Sequence, residues 1–185
     1  MEGTQFLKQK SNYRTLICYK KAECIYDITY YFAHKYLKAG DRTIDQMVQA
    51  ARSGKQNIVE GESAATTSVE MELKLLNVAR ASLQELLIDY EDYLRVRGLE
   101  LWDRESPKGK QCRAACKSHD DSAYYREAIR DRSEEAVANI AIVLIHQTDY
   151  LLMQLFNLRK QEFLDKGGLR EEMTRERLKH RSVIK

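Results

Sequence analysis

The side chains best suited to chemistry in this sequence lie close together near its middle. Cys112, Cys116 and His119 have the spacing C-x3-C-x2-H, and Asp120 follows as an oxygen donor. Thiolate, imidazole and carboxylate groups are the usual ligands of zinc. The spacing is not that of a standard structural zinc site, and no second Cys/His pair follows it. We therefore expect no metal site and no cofactor.

Other patterns that would indicate catalysis are missing from the sequence. It contains no Glu-x-x-His pair of a carboxylate di-metal bundle, no glycine-rich phosphate loop, no nucleophile elbow and no dinucleotide fingerprint. His34, His146 and His180 are scattered. His146 lies near the apolar stripe of the last long helix, where we expect a hydrogen-bonded core histidine. The sequence predicts a protein that is not an enzyme and has no catalytic residue.

Composition favours a soluble helical protein. The chain has 185 residues, of which 43% are hydrophobic and 32% charged, with one proline and eight glycines. A β-sandwich or barrel needs more turn residues, and a disordered chain would be less hydrophobic. The longest apolar run, 140–145, is far shorter than the roughly 20 residues that span a bilayer. With four cysteines that are expected to be free thiols and no apolar signal core, the chain is predicted to be cytoplasmic and not membrane-bound.

Apolar residues recur at three- and four-residue steps in four stretches, which predicts an all-α, antiparallel up-down four-helix bundle. Thr43 and Thr67 are the predicted N-caps of the second and third helices. The bundle is assigned to residues 1–165, with a long basic loop at 99–121, and residues 166–185 form a charged C-terminal tail. We expect this tail to be a solvated, partly frayed extension; the alternative is that it docks on a neighbouring subunit. The predicted helices are 12–38, 43–61, 68–97 and 122–164.

The third predicted helix carries two apolar stripes, which together are wider than the face of about 100° that one bundle core requires. The second stripe includes Leu76, Leu83 and Leu87. Either this helix contacts both neighbours within its own bundle, or the second stripe meets another subunit. The sequence favours neither, and these three leucines are the candidate oligomer interface.

Positive charge is concentrated in three segments, although the net charge is only +3. Residues 1–21, 104–117 and 159–185 each carry an excess of basic over acidic side chains. An antiparallel bundle would place the two chain ends at one pole and the loop at the other. Basic zones attract phosphate backbones, although a charge run is as often a solvated face. The candidate nucleic-acid-binding residues are Lys108, Lys110, Arg113 and Lys117 in the loop and Arg170, Arg175, Arg177, Lys179 and Arg181 in the tail.

One acid stands where a helix dipole disfavours it. Glu60 falls in the last turn of the predicted second helix, where a negative charge is unfavourable. The favoured explanation is an ion pair inside the bundle, with Arg52 or Arg80; a subunit-interface or ligand contact is the alternative.

Two segments carry a family resemblance. ARSGKQNIVEG at 51–61 and LLNVARASLQEL at 75–86, preceded by YKKAECIYDITYYF at 19–32, resemble the four-helix-bundle proteins encoded in intervening sequences of bacterial 23S ribosomal RNA. The tail resembles the charged suffix of a longer subgroup. The motif residues carried over by position are Arg52, Asn57, Glu60, Gly61, Ser82 and Glu85, and we expect structural or interface roles for them.

The resemblance implies a ring-forming bundle, often a pentamer, related to the accessory protein of diversity-generating retroelements. That protein binds nucleic acid and a reverse transcriptase and is markedly basic. At +3 this chain departs from it, so a reverse transcriptase partner is not supported. The sequence predicts a non-enzymatic homo-oligomer that binds structured RNA or DNA through the loop and tail; the alternative is a protein-interaction scaffold that binds no nucleic acid.

Overall fold

The computed structural model describes residues 12–183, and the side chains of Lys166 and Val183 are outside that description. The described chain is helical and contains no strand, which confirms the all-α prediction. A short 3-10 turn at Tyr13–Thr15 precedes the first helix. The helices are α1 (Ile17–Tyr36), α2 (Arg42–Ala64), α3 (Val69–Arg97), α4 (Pro107–Ser118), α5 (Ser122–Ile129), α6 (Glu134–Lys166) and α7 (Leu169–Val183).

The helix starts follow local capping rules, but each cap lies one or two residues from its predicted place. Asp41, not Thr43, caps α2, because its carboxylate accepts from the Thr43 backbone N–H at 2.9 Å. Ser68, not Thr67, caps α3 by accepting from the Met71 N–H at 3.2 Å. Aspartate and serine are among the best N-cap residues. The far end of α3 is closed by Gly98, which adopts the left-handed conformation at φ +64°.

The four long helices pack side by side. α2 lies against α1 and α3, and α6 lies against α1 and α3. α3 and α6 run antiparallel: Tyr93 bonds to Glu134 at one end, and Arg80 pairs with Asp149 near the middle. The core between these helices is aromatic and aliphatic, and it includes a polar pair in which the buried Tyr90 hydroxyl donates to Thr29 Oγ1 at 3.0 Å.

The predicted loop at 99–121 is wrong over most of its length, because α4 occupies residues 107–118. Ser106 caps this helix, and Pro107 stands in its first turn, where the missing N–H costs nothing. A Cβ at Gly109 would lie 2.1 Å from the Asp103 carbonyl oxygen, so only glycine allows the preceding turn to fold back on α4. The apolar atoms of the segment therefore pack instead of standing in solvent.

The predicted fourth helix from 122 to 164 is interrupted. α5 ends at Ile129, and a new N-cap at Ser133 starts α6. The chain between them is held by α1, since the Tyr31 hydroxyl donates to the Arg130 carbonyl at 2.8 Å and the Tyr36 hydroxyl to the Arg132 carbonyl at 2.7 Å. α4 lies against α6 and α5 lies against α1. The α4–α5 hairpin thus covers the side of the core formed by α1 and α6.

The stretch Glu134–Ser182, which takes in α6 and most of α7, contains a window long and apolar enough to cross a membrane. More than half of that window is buried inside the protein. Core helices of soluble proteins meet the same criterion of length and composition, so this is weak evidence for a membrane segment.

Candidate functional site

The predicted tail is a helix, and its arginines are segregated by face. Arg170, Arg177 and Arg181 are exposed and stand seven and four residues apart in α7, which places them on one side of the helix. Glu171, Glu172 and Glu176 fall on the remaining sides by the same geometry. Among the described residues, no carboxylate forms an ion pair with these three arginines. We call them the α7 arginine stripe.

The other two predicted tail residues lie outside this stripe. Arg175 and Lys179 are four residues apart and face the glutamates. Lys179 pairs with Glu176 at 2.6 Å. The tail prediction therefore contains two sets of basic residues in different environments.

Three of the four basic residues predicted in the loop are paired within the chain. Lys108 contacts Glu100 at 3.0 Å, and Lys110 and Arg113 contact Glu105 at 3.3 and 3.7 Å. Among the described residues, Lys117 has no ion partner. Because α4 lies along α6 and its end approaches Lys21 of α1, the charge of this segment sits on the side of the core and not at a pole.

Some of the family-motif residues lie at the contact between α2 and α3, and the others are exposed. Asn57 donates to the Ser53 carbonyl at 2.9 Å, and the Ser53 and Ser82 hydroxyl oxygens are 3.0 Å apart, which joins α2 to α3. Gly61 is buried against α3. The exposed members are Arg52, Glu60 and Glu85.

The predicted ion pairs of Glu60 are wrong. α2 continues to Ala64, so Glu60 is a full turn inside the helix. Arg80 instead contacts Asp149 on α6, with Nε–Oδ1 at 2.8 Å and Nη2–Oδ2 at 3.3 Å. Among the described residues, neither Arg52 nor Glu60 forms an ion pair.

The predicted oligomer interface is also wrong. Leu76, Leu83 and Leu87 are 1%, 0% and 6% exposed. All three belong to the core of this chain, because α3 contacts α2 on one side and α6 on the other. Other apolar side chains of α3 face outward: Met71, Val78, Ile88 and Val96 are about half exposed or more.

His146 and His119 lie in different environments. His146, expected in the core, is exposed, because α6 turns that side to solvent. The C-x3-C-x2-H residues do not converge: His119 stacks on Tyr124 with 3.6 Å between ring centroids, and Asp120 pairs with Lys20 at 3.3 Å. No cluster of three or more potential His, Cys, Asp or Glu ligands occurs in the part of the chain that the structure describes.

A cavity that the sequence did not predict lies between α4, α5 and the start of α6. Its volume is about 350 Å³, within the size range of small-molecule sites. Its walls include Trp102, Tyr124, Tyr125 and both Cys112 and Cys116, and the basic side chains Lys108 and Arg132 lie at its border. The signal that could have revealed it is the Ser106-Pro107 start of α4 together with a cysteine pair one helical turn apart.

The two cysteines of this cavity influence each other. Their Sγ atoms are 4.0 Å apart, and a hydrogen bond from Cys112 lowers the pKa of Cys116 while the same contact raises the pKa of Cys112. The Lys21 ammonium donates to the Cys116 carbonyl and to the His119 carbonyl at 3.3 Å. The remaining cysteines differ: burial raises the pKa of Cys18 to about 11 and that of Cys24 to about 12.

A buried charge cluster joins α2, α3 and α6. Glu72 and Glu62 have side chains 1% and 4% exposed, and both carboxylates contact the Arg159 guanidinium, at 2.8 and 3.7 Å. Burial lowers the pKa of Arg159, but Glu72, Glu162 and Glu62 raise it, and the net shift is upward. The sequence pattern did not predict this cluster; its signal was a pair of glutamates, Glu62 and Glu72, at positions that face neighbouring helices.

Comparison of this chain with protein-family models, with curated proteins and with solved structures finds no match. The resemblance described above is therefore an expectation that rests on the quoted motifs alone.

Proposed function

We propose that this chain is a non-enzymatic, cytoplasmic protein built on an up-down four-helix bundle, which assembles with copies of itself and binds structured RNA or another nucleic acid. The antiparallel packing of α3 on α6 and the side-by-side order of α1, α2, α3 and α6 support the bundle. The observation that carries the nucleic-acid role is the α7 arginine stripe.

The stripe suits a phosphate backbone for geometrical reasons. From Arg170 to Arg181 the helix rises about 16 Å, which is long enough for several phosphates of one strand. Guanidinium groups bind phosphate oxygens with two parallel hydrogen bonds. The three side chains are exposed and have no ion partner among residues 12–183, so binding would not first have to break a pair.

The basic residues of α4 suit this role less well. Lys108, Lys110 and Arg113 already contact Glu100 or Glu105, and these carboxylates reduce the positive potential that a phosphate would meet. These contacts support the tail over the loop as the binding segment, although the sequence offered both.

Replacing Arg170, Arg177 and Arg181 together by glutamine is expected to weaken RNA binding by at least tenfold, because three phosphate contacts are lost. The measurement is an electrophoretic mobility shift with a structured RNA at low and physiological salt, and binding by the unmodified chain should fall steeply with salt. The matched control replaces Lys108, Lys110 and Arg113 by glutamine and should bind nearly as tightly. Equal losses in the two variants would contradict the α7 assignment.

The nucleic-acid role itself fails if the unmodified chain produces no shift even at low salt. In that case the scaffold alternative takes its place. Capture of partners from cells, with and without nuclease, then tests it: protein partners that survive nuclease support the scaffold.

Self-assembly is assigned to the outer side of α3. Met71, Val78 and Val96 stand on one side of this helix and are 48%, 47% and 64% exposed. Glu85 lies on the same side, and Arg52 on α2 is exposed as well; neither has an ion partner among the described residues. Exposed apolar side chains beside an unpaired acid, with an unpaired base elsewhere on the surface, support a head-to-tail contact between copies.

Replacing Val78 and Val96 by lysine is expected to convert the oligomer to a monomer, because two buried charges without partners would be introduced into each contact. Light scattering at micromolar concentration measures the mass. The control variant replaces Tyr150 and Leu158 by lysine and should leave the mass unchanged. These two side chains of α6 are 64% and 55% exposed. A monomeric mass for the unmodified chain would remove the proposed assembly.

A further inference from the structure

Two thiols meet at the wall of the cavity between α4, α5 and α6. Cys112 and Cys116 are four residues apart on α4, so both point to the same side of the helix. Both line the cavity of about 350 Å³. They are 8% and 1% exposed, so they have little contact with bulk solvent, and both border the cavity.

The separation of the sulfur atoms suits a shared metal ion. The Sγ atoms are 4.0 Å apart. An ion placed about 2.3 Å from each sulfur, the usual length of a bond between zinc and a thiolate, would have an S–metal–S angle of about 120°. Two sulfur ligands alone favour a linear arrangement, in which the sulfur atoms would be about 4.6 Å apart, so the Sγ atoms would have to separate by roughly 0.6 Å. Binding would therefore need little movement of either side chain.

The donor set selects among metals that prefer thiolates. Thiolates favour Cu(I), zinc and iron–sulfur clusters. Structural zinc takes four protein ligands and iron–sulfur clusters take four cysteines as a rule, whereas residues 12–183 offer no third His, Cys, Asp or Glu beside this pair. A soft monovalent ion of low coordination number is the class that two sulfur ligands can hold.

We propose that Cys112 and Cys116 form a two-thiolate site for Cu(I). Two Cu–S bonds form, the two S–H protons leave to solvent, and no electron is transferred because the metal arrives as Cu(I). The nearby Lys21 ammonium, which donates to the Cys116 carbonyl, offsets part of the negative charge of the bis-thiolate site. This site is independent of the α7 arginine stripe and departs from the sequence-based expectation of no metal.

Anaerobic titration of the full chain with Cu(I), in the presence of bicinchoninate as a competing chelator, tests the site. We expect uptake of one Cu(I) per chain. Replacing both Cys112 and Cys116 by alanine should reduce the bound copper to less than a tenth. The matched control replaces Cys18 and Cys24 by alanine, which also removes two buried thiols, and should still bind one equivalent.

A second measurement uses only the unmodified protein and does not depend on the folding of the variants. X-ray absorption of the copper-loaded chain should show sulfur neighbours, and peptide mapping after iodoacetamide treatment should show that copper protects Cys112 and Cys116. No copper uptake, equal loss in the Cys18/Cys24 variant, or copper without sulfur neighbours would overturn the proposal. A parallel titration in which Zn(II) outcompetes Cu(I) for the pair would also overturn it.

Discussion

Replacing Arg159 by methionine is expected to lower the free energy of unfolding by about 3 kcal/mol. The guanidinium contacts two carboxylates that are almost completely buried, Glu72 at 2.8 Å and Glu62 at 3.7 Å. Removing one member of a buried ion cluster leaves charge behind in a region of low dielectric constant, which costs more than the pair itself contributes. Urea unfolding followed by circular dichroism at a fixed protein concentration measures the change.

The chain contains a matched control for this variant. Arg80 also joins α3 to α6, through Asp149, but the two side chains are 24% and 23% exposed. Water can therefore solvate the Asp149 carboxylate after Arg80→Met, and we expect a loss of only about 1 kcal/mol. Adding Glu72→Gln to Arg159→Met should recover part of the lost stability, because the buried carboxylate that has lost its guanidinium contact becomes a neutral amide. Equal losses for Arg159→Met and Arg80→Met would contradict the buried-charge explanation.

Replacing Leu83 by alanine is expected to cost about 2–5 kcal/mol of stability, the range found when large aliphatic side chains are removed from a core. Leu83 is fully buried and lies against Gly54: a Cβ at that glycine would be 2.8 Å from Leu83 Cδ2. The same loss should appear at every protein concentration, and light scattering should show an unchanged mass, because Leu83 belongs to the core and not to an interface between copies.

The Gly54–Leu83 contact gives this prediction a second check. Gly54→Ala alone is expected to destabilise the chain by about 1–3 kcal/mol through overpacking. In the Leu83→Ala background the added methyl group enters the space that leucine vacates, so the same change should be nearly neutral. Gln84→Ala, at an exposed position of α3 outside the proposed assembly surface, is the control, with an expected change within about 0.5 kcal/mol. Additive effects of the Gly54 and Leu83 substitutions would show that the alanine methyl group at position 54 and the side chain at position 83 do not compete for the same space.

Helix content and approximate helix positions could be predicted because they depend on short-range properties of the chain. The three- to four-residue repeat of apolar side chains and the Ser, Thr and Asp caps act within one or two turns. These rules did not decide whether the tail is ordered; it forms α7, in which spacing alone places Arg170 and Arg177 on one side. The errors in the starts of α2 and α3 were small, such as the shift of a cap from Thr67 to Ser68. The helix α4 and the break between α5 and α6 were not predicted.

The candidate sites were predicted less well, because each depends on what a neighbouring helix supplies. Lys108 and Lys110 were counted as free positive charge, but Glu100 and Glu105 pair with them once α4 is helical. Cys112 and Cys116 were assigned to a polar segment, yet α4 folds against α6 and encloses them.

The sequence by itself determined the all-α class, the approximate positions of the first three helices and the spacing that aligns the α7 arginines, since all three follow from local backbone geometry. Only the tertiary structure decided which side of α3 is core, that Arg159 joins the buried Glu62 and Glu72, and that a cavity opens beside two thiols. The physical reason is that burial and pairing are properties of two or more elements together, and the periodicity of one helix does not specify which neighbour covers it.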